Sequence, residues 1–436
     1  MVRRFAVLSV GVVLASAAAA QTPPAPTPAA ACRMIGSAYQ TQAIQTERAA
    51  SRTPDVTTII AESKRRTRAC AETLSTTKGT VAELTGLSAL YLYVGDTAGA
   101  RSIVGALLTR QDQAERDRAD VMLAGITLEN AALDPFAGVN ERSEALVRSI
   151  DAMSNAVIQK KISAHQSMLG RYEYADIDEG IRHHGQQLLA LAREALRTNT
   201  LPTIAARPAQ GTRAATPEYN QAYAVMLSAY SGLARAAGDY LHADSALLIL
   251  DEADRVVSPN LYYARESIER DRKMYLLIGT KATPVDGKWW VNAANGTVIK
   301  PGNGKISIVQ FTAHWCVPCK KSYPPMLRLM TKYKGKPVES VMATGIYGYL
   351  GDKKNLTPEQ EVEANRDYYS VHHGLPFQIA INPADSRSLD DRYAVGGIPE
   401  IVIIDRKGVI RATVVGWDVG NEARFAAFID KLLAEK

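Results

Sequence analysis

The chain has 436 residues, of which 46% are hydrophobic and 22% charged, with a formal net charge of +6. That length exceeds one ordinary core and predicts two or three domains. The charge is mild, and no block of Lys and Arg interleaved with aromatics stands out, which argues against a nucleic-acid partner.

The first residues, 1–20, read as a signal peptide. Arg3 and Arg4 form a basic n-region, Val7 to Leu14 an apolar h-region, and Ala18-Ala19-Ala20 a small-residue cleavage site before Gln21. The apolar run is short for an anchor, and no later run approaches the roughly 18 apolar residues of a span. The expectation is an exported protein with no membrane span in the mature chain. The bacterial periplasm is the favoured compartment, and an uncleaved anchor is the alternative. Residues 21–31 (QTPPAPTPAAA) read as a Pro/Ala-rich linker.

From 32 to 278 the composition predicts an all-α domain. Apolar residues recur at spacings of three and four, as in Leu84, Leu87, Leu90 and Val94, or Leu188, Leu189, Ala192 and Ala195. Thr198 to Pro217 reads as a long loop. Gly95-Asp96 with Ala100, and Gly238-Asp239 with Ala243, each read as a helix stop, a helix cap and a close helix approach. These turns resemble those of tetratricopeptide hairpins, and a plain helical bundle is the alternative. A helical array would offer a surface for a protein partner.

Four cysteines in an exported chain suggest two pairs. Cys316 and Cys319 are close enough to pair with each other, which leaves a structural disulfide between Cys32 and Cys70. A lipid-modified Cys32 and a simple buried thiol at Cys70 are the competing readings.

From 279 to 436 strand-like runs alternate with helical ones, which predicts an α/β domain with a mixed sheet. Trp289–Val291 and Thr297–Ile299 flank Asn295-Gly296, a hairpin signal. The later runs are a strand at Ile306–Phe311, a helix at Val317–Tyr333, a strand at Val338–Ile346, a helix at Pro358–Val371 after a Thr357 cap, and a strand at Phe377–Ile381. Ile401–Ile404 and Val409–Val415 form a strand pair, and Glu422–Leu433 a closing helix. Cys316 follows the buried strand and opens a helix, where unpaired backbone N–H groups and the helix dipole favour a thiolate.

Trp315-Cys316-Val317-Pro318-Cys319, Gly396-Gly397-Ile398-Pro399 and Ile403-Ile404-Asp405-Arg406-Lys407-Gly408 together resemble the motifs of the thioredoxin superfamily. The insertion Lys353–Pro383 points to its exported TlpA/ResA-like branch of thiol–disulfide oxidoreductases. The fold class implied is an α/β thioredoxin-like C-terminal domain preceded by an all-α helical-repeat or bundle domain. The resemblance implies Cys316 as attacking thiol and Cys319 as resolving thiol. Trp315, Ile398 and a cis Pro399 would be substrate-binding residues. It implies no cofactor and no metal. The substrate would be a protein disulfide or dithiol, with a separate protein as electron donor. Two departures stand out: Gln310 where many thioredoxins carry a buried Asp, and Ser322 where the branch carries a Glu. Water or His314 would then be left to take the Cys319 proton. Reduction of protein disulfides is the leading function; a partner-binding scaffold with a redox-regulated docking module is the alternative. A zinc half-site lacks its second pair of ligands, and a peroxiredoxin lacks its Pro before the cysteine.

Several features read as bland. His183-His184 and His372-His373 point to different sides of their helices. Asp176-x-Asp178 is a broken calcium-loop pattern. Gly345-x-x-Gly348-x-x-Gly351 reads as a flexible loop, and Lys320 and Lys321 as a solvated helix face.

Overall fold

The computed structural model describes residues 26–50, 54–110, 113–132, 140–205, 217–238, 243–383, 388–417 and 421–435. The expected signal peptide, its cleavage site and residues 21–25 of the linker lie outside them, as does Asp239 of the second turn.

The first part is helical: α1 (Pro28–Ala49), α2 (Val56–Ala71), α3 (Val81–Tyr93), α4 (Thr97–Leu108), α5 (Glu115–Ala132), α6 (Glu141–Asp151), α7 (Ile158–Ala175) and α8 (Asp178–Arg197). The stretch expected to be a long loop carries a short antiparallel pair, β1 (Thr203–Ala205) and β2 (Glu218–Asn220). Then come α9 (Gln221–Gly238), α10 (Ala243–Val257) and α11 (Ala264–Leu276). The end of the expected linker is already helix, because Pro28 sits in the first turn, where its missing N–H costs no bond. The turn read from Gly95 and Asp96 is built as expected. Gly95 has φ +86°, the Asp96 carboxylate accepts the Gly99 N–H at 2.8 Å, and Ala100 is fully buried between helices. Cys32 and Cys70 are joined by a disulfide that ties α1 to α2, with Cα atoms 5.4 Å apart.

The adjacent pair His183-His184 splits as its spacing requires, with His183 exposed and His184 buried. Its partner is distant in sequence: His165 Nδ1 lies 2.8 Å from His184 Nδ1. Asp151 and Glu144 meet the outer ring nitrogens of the two, each at 3.1 Å. This polar knot joins α6, α7 and α8.

The α/β part contains β3 (Val285–Asp286), β4 (Trp289–Val291), β5 (Val298–Ile299), β6 (Ile306–Phe311), α12 (Val317–Lys332), β7 (Val338–Gly345), β8 (Tyr349–Leu350) and β9 (Lys353–Lys354). It continues with α13 (Pro358–Arg366), β10 (Gln378–Asn382), α14 (Ser388–Arg392), β11 (Glu400–Ile404), β12 (Ile410–Val415) and α15 (Asn421–Ala434). Six strands form one sheet in the order β12-β11-β6-β7-β10-β4. β6, β7 and β10 run parallel; β11, β12 and β4 pair antiparallel to their neighbours. Every residue of β6 is buried, as a central strand covered on both faces requires. The hairpin expected around Asn295-Gly296 does not form between its flanking runs. β4 pairs with β10 and β5 with β3, because Trp290 fills the sheet core and the Asn295 side chain takes the Trp290 N–H at 3.0 Å. The loop expected to be flexible carries the β8–β9 pair. Glu361 of α13 pins it by accepting the N–H groups of Tyr347 and Gly348.

Among the described residues, three sets of contacts join the two parts. Residues after α11 extend the sheet edge: Gly279 N–H donates to Ile410 O at 2.8 Å and Ile410 N–H to Thr280 O at 2.9 Å, which covers part of the free edge of β12. Asp176, a left-handed helix end with φ +56°, is no calcium ligand fragment. With Asp178 it receives Arg424 of α15, whose Nη1 donates to both carboxylates at 2.9 Å. Asn421 and Arg235 add contacts to the same Asp176. Third, the side chain of Arg270 on α11 lies flat over Gly396, where a Cβ would meet its Cγ and Cδ at 2.7 Å.

Candidate active site

The chain leaves β6 at Phe311, turns through residues 312–315, and enters α12 with Cys316 as its N-cap. Cys316 has an extended backbone, and its Sγ accepts the Cys319 N–H at 3.2 Å. Pro318 falls in the first turn, where a helix tolerates it. Cys316 and Cys319 are joined as a disulfide, Cα to Cα 5.3 Å. Cys319 is fully buried, while Cys316 sits at the edge beside Trp315, which is 43% exposed, and Val317, which is 60% exposed. Of the two sulfurs, the one nearer the surface is at the helix N-terminus, where backbone N–H groups favour negative charge.

The Gly396–Pro399 loop comes up from the other side of the site. The Ile398–Pro399 peptide is cis, and Ile398 O lies 3.5 Å from Cys316 Sγ. Ile398 thus faces Cys316, with Pro399 next to it on the loop and Trp315 beside Cys316 in the chain. Cys32 and Cys70 belong to α1 and α2 and take no part.

Gln310 and Ser322 occupy each other. Gln310 Nε2 donates to Ser322 Oγ at 2.7 Å, and Ser322 Oγ donates to Cys319 O at 2.6 Å. A neutral amide and a hydroxyl thus fill the space where a proton-accepting carboxylate was expected to be missing. His314 is buried beneath the rings of Tyr347 and Tyr349, and Tyr368 donates to its carbonyl at 3.0 Å. Burial, and then the charge of Lys320, pull its imidazole down to about 4, so it stays neutral near pH 7. It supplies no positive charge to the sulfurs. The Lys320 ammonium stands over the Tyr368 ring, 5.8 Å from its centroid, while the residue remains exposed.

Three residues here were not read from the sequence. Glu400 follows Pro399 and is fully buried on the other face of the sheet from Cys319, accepting the Gly396 N–H at 2.9 Å and the Thr413 hydroxyl at 3.2 Å. Burial pushes its carboxyl up to about 8. A charged type inside the apolar strand Glu400–Ile404 was the available signal. Val415 is exposed, and a Cβ on Gly397 would meet its Cγ1 at 3.2 Å. Arg270 gave no sequence signal, since its position depends on how the helical part docks.

No protein-family model matches the chain. Residues of the C-terminal part align with thioredoxin-like protein YneN of Bacillus subtilis at 30% identity over 118 residues, 27% of this chain and 61% of that protein. Thiol-disulfide oxidoreductase ResA of Bacillus thuringiensis aligns at 29% identity over 118 residues, 27% of this chain and 59% of that protein. Thiol:disulfide interchange protein HelX of Rhodobacter capsulatus aligns at 27% identity over 115 residues, 26% of this chain and 54% of that protein. The chain thus spans about three fifths of the length of these relatives. The C-terminal domain is thioredoxin-like and is similar to proteins of the TlpA/ResA type. In this thioredoxin-like domain the sheet order, the cysteine pair at the start of α12 and the cis proline facing it agree with the similarity. Among the described residues no helix is long and apolar enough to cross a membrane.

Proposed function

We propose that the protein is an exported thiol–disulfide oxidoreductase that reduces protein disulfides through Cys316 and Cys319. The observation that carries this reading is the placement of Cys316: at a helix N-terminus, bonded to Cys319, and 3.5 Å from the carbonyl of Ile398. In the reduced protein the Cys316 thiolate attacks one sulfur of a substrate disulfide. A mixed disulfide forms and the other substrate sulfur leaves as a thiolate that takes up a proton. Cys319 then loses its proton and attacks Cys316, so the second substrate thiol leaves and the Cys316–Cys319 disulfide closes. Two electrons pass from the dithiol to the substrate. Ile398, beside a proline with no N–H, offers backbone to an extended substrate chain, as in strand addition. Trp315 and Pro399 give that chain an apolar floor.

Export is supported by the basic and apolar pattern of residues 1–20 and by the Cys32–Cys70 disulfide, a bond that persists in oxidising compartments. A dithiol that reduces substrates there must be reduced again by a separate electron-donor protein. The test is insulin reduction by the full chain with dithiothreitol as donor. Turbidity from the released B chain should rise faster than with dithiothreitol alone, and Cys316→Ser should remove the acceleration. An unaccelerated wild-type reaction, against insulin and small disulfides alike, would overturn the reading.

A further inference from the structure

The helical part reaches the edge of the reactive site at one side chain. Arg270 of α11 lies with Cγ and Cδ against Gly396, two residues before Ile398, on a loop whose position is fixed from below by Glu400. Gly396 is exposed, and no side chain stands between it and Arg270. The guanidinium is held on the side of its own helix: Nε donates to Asp271 at 3.3 Å and Nη2 to Ser267 at 3.0 Å. It remains half-exposed, with 51% of the side chain accessible. The junction bonds at Gly279, Thr280 and Ala282 and the Asp176–Arg424 clasp fix α11 relative to the sheet.

An extended chain advances about 3.3 Å per residue, so a substrate residue two positions from the one paired with Ile398 passes about 7 Å away, beside Gly396. Arg270 stands there as a cation on a rigid support. Lys320 and Lys321, exposed on the first turns of α12, add positive potential on the Cys316 side. Two carboxylates oppose this charge: Asp271, which Arg270 meets at 3.3 Å on its own helix, and Asp390 of α14, close enough to the loop to act on Glu400.

We infer that Arg270 is a specificity residue of the substrate groove, favouring polypeptide disulfides that carry a carboxylate side chain close to the attacked cysteine. This rests on the thiol–disulfide reading above. It gives the helical part a role in substrate choice: it supplies one wall of the groove next to a site whose cysteines lie wholly in the other domain.

The experiment uses the full reduced protein and short peptides whose single cysteine is joined by a disulfide to thionitrobenzoate, with one Glu, Lys or Ala placed two residues before or after the cysteine. Cys316 attacks the peptide sulfur and releases the coloured thiolate. Cys319 closes the enzyme disulfide and frees the peptide thiol, so one dithiol is oxidised for each substrate disulfide reduced. Wild type should favour the Glu peptide over the Lys peptide by about three- to fivefold in the second-order rate constant of the single turnover at low salt, in the range of a partly exposed ion pair. Arg270→Glu should reverse the order, Arg270→Lys should keep it, and Gly396→Ala should weaken it by pushing Arg270 aside. Both Arg270 variants should retain the wild-type rate with 4,4′-dithiodipyridine, which carries neither a peptide nor a carboxylate. The same order of preference in wild type and Arg270→Glu overturns the inference while leaving the oxidoreductase reading intact; loss of the 4,4′-dithiodipyridine reaction in wild type overturns that reading instead.

Discussion

Gln310 donates to Ser322 at 2.7 Å, and the Ser322 hydroxyl in turn donates a hydrogen bond to the carbonyl of Cys319 at 2.6 Å. This chain of neutral groups lies directly behind Cys319. Ser322→Ala leaves the buried Gln310 amide without its acceptor, which costs about 1–3 kcal/mol. Urea unfolding should show the loss, while the attack step on dithionitrobenzoate should change little, since Cys316 keeps its place at the helix start. A variant as stable as wild type contradicts the role given to this pair.

Glu400 should govern how stability depends on pH. Its carboxyl is raised from an ordinary 4.5 to about 8, first by burial. The folded state therefore holds the proton more tightly than the unfolded chain does. The stabilisation is fully present below about pH 4.5 and is lost as pH rises through about 8, on the order of 5 kcal/mol across that window at about 1.4 kcal/mol per pH unit. Glu400→Gln cannot titrate, so its urea midpoint should fall less than that of wild type between pH 5 and pH 8. Parallel pH curves for the two proteins would exclude this.

The clasp between Asp176 and Arg424 couples the two domains. The Asp176 side chain is only 2% exposed, so removing Arg424 takes away part of the compensation for a buried charge. Arg424→Ala should cost about 2–3 kcal/mol, less than a fully unpaired buried carboxylate because Arg235 and Asn421 remain. Calorimetry should then resolve two transitions where wild type shows more cooperative melting. A single unshifted transition would show that the clasp carries no load.

Reduction of the Cys32–Cys70 bond separates scaffold from chemistry. The bond closes a loop with a sequence separation of 38, so Cys32→Ser with Cys70→Ser should cost about 3–4 kcal/mol in the chain-entropy treatment. Insulin reduction below the melting temperature should stay within twofold of wild type. A loss comparable to that of Cys316→Ser would place this disulfide in the electron path.

The α/β domain was readable because its signals are local. A six-residue apolar run, a C-x-x-C at a helix start, and a Gly-Gly-Ile-Pro loop each specify their own geometry, and the helix and strand bounds follow to within a few residues. The pairing of β4 was not local: Trp290 is drawn into the core beside β10, which overrides the Asn295-Gly296 turn signal. The same holds for the interdomain contacts. Asp176 resembles a fragment of a metal loop until α15 brings Arg424 to it, and Arg270 is an ordinary helix-surface arginine until α11 docks against Gly396. His165 and His184 are 19 positions apart, on α7 and α8 across the turn that joins them, so their contact has no local spacing to announce it.

The account stands or falls on Cys316 as the attacking sulfur, and trapping measures that most directly. The reduced Cys319→Ser protein should accumulate a mixed disulfide with oxidised insulin, seen by mass spectrometry at Cys316 and dispersed by dithiothreitol. Cys316→Ser with Cys319→Ser should trap nothing. An adduct that survives in the double variant, or none in Cys319→Ser, would contradict the dithiol mechanism.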